Sequence, residues 1–137
     1  MHCFVNKNTI AVHMPVAMFV EIQQPGFVHL ADHHLTVMDR SDVAKLKLTR
    51  CMSNREIELW IADLAVITDI PSEPTRVGLG RIDDGANAVY FDVYDWPEMQ
   101  AWRAAFGLPP KDAHVTLAVR GADIHGRAKD RSTLVKQ

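Results

Sequence analysis

Residues 75–94 read TRVGLGRIDDGANAVYFDVY. Two β-rich runs, Thr75 to Ile82 and Ala88 to Tyr94, flank Asp83-Asp84-Gly85-Ala86-Asn87, a stretch of turn formers, and together they predict a hairpin. A hairpin makes antiparallel pairing the default for the sheet that contains it. On its N-terminal side, beyond a loop marked by Pro71 and Pro74, Ser53 and Glu56 form a Ser-x-x-Glu capping box. It opens a helix with Ile57, Trp60, Ile61, Leu64 and Ile67 on one stripe. On its C-terminal side Asp95 suits the N-cap of another helix. Pro97 and Glu98 fall in its first turn, Met99, Trp102 and Phe106 on its inner face, and Gly107 and Pro109 at its end.

Further out, Ala113 to Val119 alternates so that His114, Thr116 and Ala118 share one strand face and Val115, Leu117 and Val119 the other. His33 to Met38 repeats the arrangement, with Leu35 and Val37 opposite His34, Thr36 and Met38. Thr9 to Met14 reads as a strand, Val16 to Gln23 as a short helix rather than more strand, and Pro25-Gly26 as a turn. Ser41-Asp42 caps a short helix through about Leu48. The tail from Gly121 to Gln137 is polar, and Leu134 and Val135 suggest a late strand. The order of elements is that of an α+β fold with largely antiparallel sheets and flanking helices. We expect a single domain over 1–137, built as two lobes with one His-x-Thr strand in each.

Composition narrows the function. Fifteen Lys and Arg against seventeen Asp and Glu give a net charge of −2, which argues against a broad footprint for duplex DNA or an anionic membrane. Cys3 and Cys51 lie far apart and in no ligand pattern, as in a reducing compartment, and no apolar run approaches a membrane span. The N-terminus has no pattern of an export signal, so a cytoplasmic protein is expected.

The chemistry sits in His34-Leu35-Thr36 and His114-Val115-Thr116. Imidazole is the side chain suited to proton transfer near neutrality, and a hydroxyl two residues along a strand lies on the same face about 6.5 to 7 Å away. In phosphodiester cleavage one histidine takes the proton of the attacking oxygen and a second gives one to the leaving oxygen. Threonine hydroxyls meanwhile hold the non-bridging oxygens. Two such tripeptides facing each other supply acid, base and phosphate cradle with no metal or other cofactor. In a chain with seven histidines, two matches arise by chance in roughly one sequence in ten. The strand-like apolar frame around both, and the helix-hairpin-helix segment that separates them as a two-lobed site would require, raise the pair above that background, since polar pairs turned to one sheet face are costly in a core unless used or hydrogen-bonded.

With these residues the chain resembles the two-histidine (2H) phosphoesterase superfamily, named for paired His-x-Thr/Ser motifs on strands of two pseudo-symmetric lobes. Gly78-Leu79-Gly80-Arg81, the Ala88 to Tyr94 strand and the following helix look like the middle of such proteins. The ending, His114-Val115-Thr116-Leu117 followed by Asp123-Ile124-His125-Gly126 and Lys129, is similar to the branch described as Swiss-army-knife RNA-repair-like. The resemblance implies His34 and His114 as acid and base and Thr36 and Thr116 as phosphate ligands, with His125 and Lys129 reaching phosphate or sugar as the tail folds back. It implies a phosphodiesterase acting on a small nucleotide or an RNA end: a 2′,3′-cyclic phosphate, or a 2′-5′, 3′-5′ or cyclic oligonucleotide. The rival functions are a non-catalytic nucleotide or RNA sensor with the same cleft and a 2′-5′ RNA ligase-like joining activity. A monomer is expected.

Other candidates rank lower. His29 and His33 lack the acidic partners of a metal site, and His33 should point away from His34. His13 reads as structural. Arg40 and Arg120 are placed to lend positive potential at a cleft mouth. Trp60 and Trp102 fall on apolar stripes, whereas Tyr90 and Tyr94 share a strand face suited to looking into the cleft and meeting a base.

Overall fold

The computed structural model describes residues 1–15 and 22–135. Its elements are β1 (Phe4–Asn6), β2 (Thr9–His13), β3 (Val28–His29), β4 (His34–Met38), α1 (Arg40–Thr49), α2 (Asn54–Ile67), β5 (Thr75–Asp83), β6 (Ala88–Asp95), α3 (Pro97–Ala104) and β7 (Ala113–Arg120), with a final 3₁₀ turn at Arg131–Thr133. They form a three-stranded sheet ordered β1-β2-β4 and a four-stranded sheet ordered β3-β7-β6-β5, so the α+β class and the antiparallel pairing hold. One His-x-Thr tripeptide begins β4 in the first sheet and the other lies within β7 in the second.

Two compact units divide the chain. One comprises Met1–His13, Thr36–Glu73 and Pro97–Lys111, the other Met14–Leu35, Pro74–Trp96 and Asp112–Gln137. The division falls inside the first tripeptide, between Leu35 and Thr36, so His34 groups with the unit that holds β7. In the first unit, β1 and β2 close through Lys7 and Asn8, both at positive φ (51° and 64°), as a two-residue type I′ turn requires. Sequence reading missed β1 because Lys7-Asn8 is not the usual Asn-Gly signal. α2 opens on the expected capping box, with the Glu56 amide donating to Ser53 Oγ at 3.1 Å and the Ser53 amide to Glu56 Oε1 at 2.9 Å. It buries Ile57, Ile61, Leu64 and Ala65, while Ile67, expected on the stripe, is exposed at the helix end.

Several expected boundaries move. α1 is capped by Asp39 rather than Ser41, because Asp42 is the third helical residue and completes a reciprocal box with Asp39. α3 starts with Pro97 at its first position, where a missing N–H costs nothing. Asp95 instead ends β6, paired with Thr75. Its buried face is Met99 and Arg103, four residues apart, and Trp102 and Phe106 form a half-buried edge-on pair at 5.0 Å. The helix expected at Val16 to Gln23 falls mainly on residues 16–21, outside the described residues, and Ile22 and Gln23 are not helical.

In the second unit the 75–94 hairpin is present and slightly longer than expected. β3 was unforeseen: two residues are too few to show a period, and the strand exists because Val28 and His29 pair with Val119 and Ala118. The tail makes one bridge, Gly80 to Leu134, and the Val135 amide donates to the Leu79 carbonyl at 2.8 Å. It thereby covers the free edge of β5 in place of a full strand. Gly80 makes this possible, since a Cβ there would stand 2.9 Å from both Phe91 Cζ and Thr133 Oγ1. No helix among the described residues is long and apolar enough to cross a membrane.

Candidate active site

β4 buries Leu35 and Val37 and leaves His34 and Thr36 half-buried, as the alternation predicted. The His34 ring is held from behind: Nδ1 lies 3.2 Å from Asp32 Oδ2. An ionised carboxylate only accepts, so the contact puts a proton on Nδ1, and Nε2 is the basic nitrogen of the neutral ring.

The second tripeptide depends on a bulge. At its C-terminal end β7 pairs Arg120, Val119 and Ala118 with Ala88, Val89 and Tyr90, but Phe91 then pairs with Thr116, which leaves Leu117 as the extra residue. Had the register continued, His114 would stand across from Tyr94 and Thr116 across from Asp92. With the bulge, His114 pairs with Val93 and Thr116 with Phe91, so both motif residues join the face that carries Val89, Phe91, Val93, Ile82 and Ile124. The extra residue also breaks the expected alternation: Ala118, expected beside His114 and Thr116, lies on the opposite face with Tyr90, and Val119, expected opposite them, lies on theirs. The His114 ring meets Phe91 edge-on at 5.9 Å. Its Nδ1–H donates to the Asp112 backbone carbonyl at 3.4 Å, and because a carbonyl cannot donate, Nε2 is again the basic nitrogen of the neutral ring.

The two motifs are alike one step further back than the sequence reading looked. Each reads Asp-x-His-x-Thr, Asp32 to Thr36 and Asp112 to Thr116, but Asp32 meets its histidine's Nδ1 with a carboxylate oxygen and Asp112 with its backbone carbonyl. The side chain of Asp32, two residues ahead of His34, was a signal the sequence offered and the reading missed. Asp112 also ties in the tail, since its Oδ2 accepts the Lys129 amide at 3.0 Å.

Lys129 is only 5% exposed. Its ammonium donates to Asp123 Oδ1 at 3.1 Å and lies 5.9 Å from the centre of the Phe91 ring that also meets His114. The tail thus brings Lys129 to the same ring as His114. His125, by contrast, is exposed.

Tyr90 and Tyr94 do not share that face. Tyr90 pairs with Ala118 and Arg81, and Tyr94 with Ala113 and Arg76, which puts both on the opposite side of the sheet from His114 and Thr116. Tyr94 is also buried, and burial first, then the Asp92 charge, pushes its phenol up to about 12. Beside it Asp92 is fully buried and bonded to Arg76 Nη2 at 2.8 Å. Arg120 lies on this second face too, and Arg40 is exposed at the start of α1. His29 Nε2–H donates to the Ile22 carbonyl at 2.9 Å, and His13 stacks on Phe4 at 3.8 Å, the structural role expected of it.

Sequence reading also missed Arg103. Only 2% exposed, it uses all five N–H donors: Nε and Nη2 to the Pro109 carbonyl (3.0 and 2.9 Å), Nη1 to the Val37 carbonyl (2.8 Å), and Nη1 and Nη2 to Asp42 Oδ2 and Oδ1 (2.7 and 3.2 Å). It fastens the residue next to Thr36.

The model of the family described as Swiss Army Knife, 2H phosphoesterase domain, matches residues 7–125. Both tripeptides fall inside that span, and Lys129 lies beyond it. No curated protein and no solved structure matches the chain.

Proposed function

The chain belongs to the Swiss Army Knife family of 2H phosphoesterase domains, and from that footing we propose a metal-independent phosphodiesterase whose two histidines, His34 and His114, act on one nucleotide or RNA phosphodiester. The observation that supports this reading is the twofold His-x-Thr arrangement, in which Nδ1 of each ring is held by the residue two places before it, through the Asp32 carboxylate for His34 and the Asp112 backbone carbonyl for His114.

On a 2′,3′-cyclic phosphate, one Nε2 accepts the proton of a water whose oxygen bonds to phosphorus. The other histidine, entering as imidazolium, gives its Nε2 proton to the departing ribose oxygen as the P–O bond breaks. The product is a phosphomonoester, and solvent exchange resets the two rings. Thr36 and Thr116 donate to the non-bridging oxygens as charge accumulates there, and the Lys129 ammonium supplies a counter-charge. An attacking ribose 2′-hydroxyl in an oligonucleotide uses the same four side chains. A cytosolic setting accords with free thiols at Cys3 and Cys51.

The test is turnover of 2′,3′-cyclic AMP and of short 2′-5′, 3′-5′ and cyclic oligonucleotides in EDTA. His34→Ala and His114→Ala should each lower the rate roughly 10²- to 10⁴-fold, the share of a general acid or base. Turnover that the variants retain refutes the assignment. Tight binding with the ligand recovered intact would favour a sensor, and joined RNA ends a ligase-like activity.

A further inference from the structure

The face of the four-stranded sheet opposite His114 carries a row of alternating cations and rings. Arg81 lies over the Tyr90 ring, its guanidinium carbon 5.6 Å from the ring centre; Tyr90 meets Phe27 edge-on at 5.0 Å; and Arg120 lies over Phe27 at 5.4 Å. The pairing register puts Arg81, Tyr90 and Arg120 on one face, and Phe27 immediately precedes β3 at the far edge. All four side chains are half-buried, and Val28 beside them is 66% exposed.

Charge gathers at the same end. Asp83 accepts from Arg81 Nη1 at 2.8 Å, and its backbone carbonyl accepts from Arg127 Nη1 at 2.7 Å. The bond from Arg81 comes first among the causes that hold the Asp83 carboxyl below its usual range, and the Arg120 charge adds to them. The neighbouring Asp84 turns its carboxylate onto the amides of Ala86 and Asn87. Three guanidiniums against these two carboxylates leave a positive end on a chain whose net charge is −2.

An arginine lying on an aromatic ring is by itself an ordinary surface feature. Two of them, back to back on one edge-on pair of rings and beside a third guanidinium, have the makeup of a single-strand platform: flat guanidinium planes on which bases stack, with N–H edges turned to phosphates. We propose that Arg81, Tyr90, Phe27 and Arg120 form a second binding surface, for single-stranded RNA, on the sheet face that does not carry the His-x-Thr motif. Binding there requires neither His34 nor His114.

The probe is a 5′-fluorescein-labelled oligoadenylate of about twelve nucleotides, titrated by anisotropy against the His34→Ala/His114→Ala protein so that it stays intact. Arg120→Ala and Arg81→Ala in that background should each weaken binding roughly tenfold and lower the slope of log affinity against log salt by about 0.7. Arg120→Lys should keep the slope and lose the stacking part of the affinity, a check that survives poor folding of either alanine variant. In otherwise wild-type protein, Arg120→Ala should leave 2′,3′-cyclic AMP turnover unchanged. Equal affinity in parent and arginine variants, no binding by the parent, or equal affinity for a duplex of the same length would overturn the platform. Such a result leaves the phosphodiesterase reading standing, because mononucleotide turnover tests that separately.

Discussion

Replacing Arg103 with Met keeps the bulk of the side chain and removes five hydrogen bonds at once. The Val37 carbonyl loses its guanidinium donor and the Pro109 carbonyl loses two contacts. Asp42, also buried, is left as a carboxylate without its cation. Removing one partner of a buried pair costs about 3 to 5 kcal/mol. Asp42 Oδ2 still accepts the Asp39 amide at 2.9 Å, so we place the loss near the lower end, about 3 kcal/mol, or on the order of 10 °C in Tm for a chain of this size. Urea and thermal unfolding at constant pH measure it. The decisive comparison is Arg103→Met/Asp42→Asn. If the cost is that of a stranded charge, neutralising Asp42 should restore more than about 1 kcal/mol to the single variant, although Asp42→Asn alone destabilises the parent. A single-variant loss below about 1 kcal/mol, or losses that simply add, would refute the account of Arg103 as the cation that makes Asp42 tolerable in the interior.

Gly80→Ala sets a Cβ 2.9 Å from Phe91 Cζ and from Thr133 Oγ1. We expect a loss of about 1 to 3 kcal/mol, together with slower turnover because Phe91 is the ring against His114; unfolding and kinetics of the same preparation check both. The third prediction concerns acid. Burial alone would push the Asp39 carboxyl up, but bonds from the Lys111 ammonium and the Asp42 amide, both at 2.9 Å, more than offset it and hold the group below its usual range. As pH falls, the unfolded chain takes up this proton first, near about pH 3.9, so the contribution is present above that value and is lost as pH drops through the lower, folded one. Lys111→Met should therefore flatten the fall in Tm between about pH 6 and about pH 3, and an unchanged acid limb in the variant would refute the linkage.

Local signals in the chain had local causes, and these were legible. The Ser53/Glu56 box, the turn at 83–87, Gly107 at φ +73° after α3 and the alternation within each His-x-Thr tripeptide need only a few neighbouring residues to operate. The Asp39 cap was misread because Ser41, Asp42 and Asp39 are all competent caps, and only the start of the helix picks among them. Arg103 drew no expectation from the sequence. Its burial follows from Val37 and Asp42, more than sixty positions away in sequence. Lys129 was expected to reach phosphate or sugar from a polar tail, and its burial beside Asp112, Asp123 and Phe91 depends on residues distant in sequence.

The sequence by itself determined that His and Thr share a face in each tripeptide, because side chains of an unbulged strand alternate with a period of two. It could not determine which face. In β7 one extra residue, Leu117, shifts the pairing with β6 and turns His114 and Thr116 from the side of Asp92 and Tyr94 to the side of Phe91 and Val93. A slip of one residue inverts a strand, and whether it occurs is decided by pairing between strands rather than by either strand alone. The same shift moves Tyr90 and Tyr94 away from the motif face, where the sequence had them, and puts Tyr90 in the row of rings and guanidiniums on the other side.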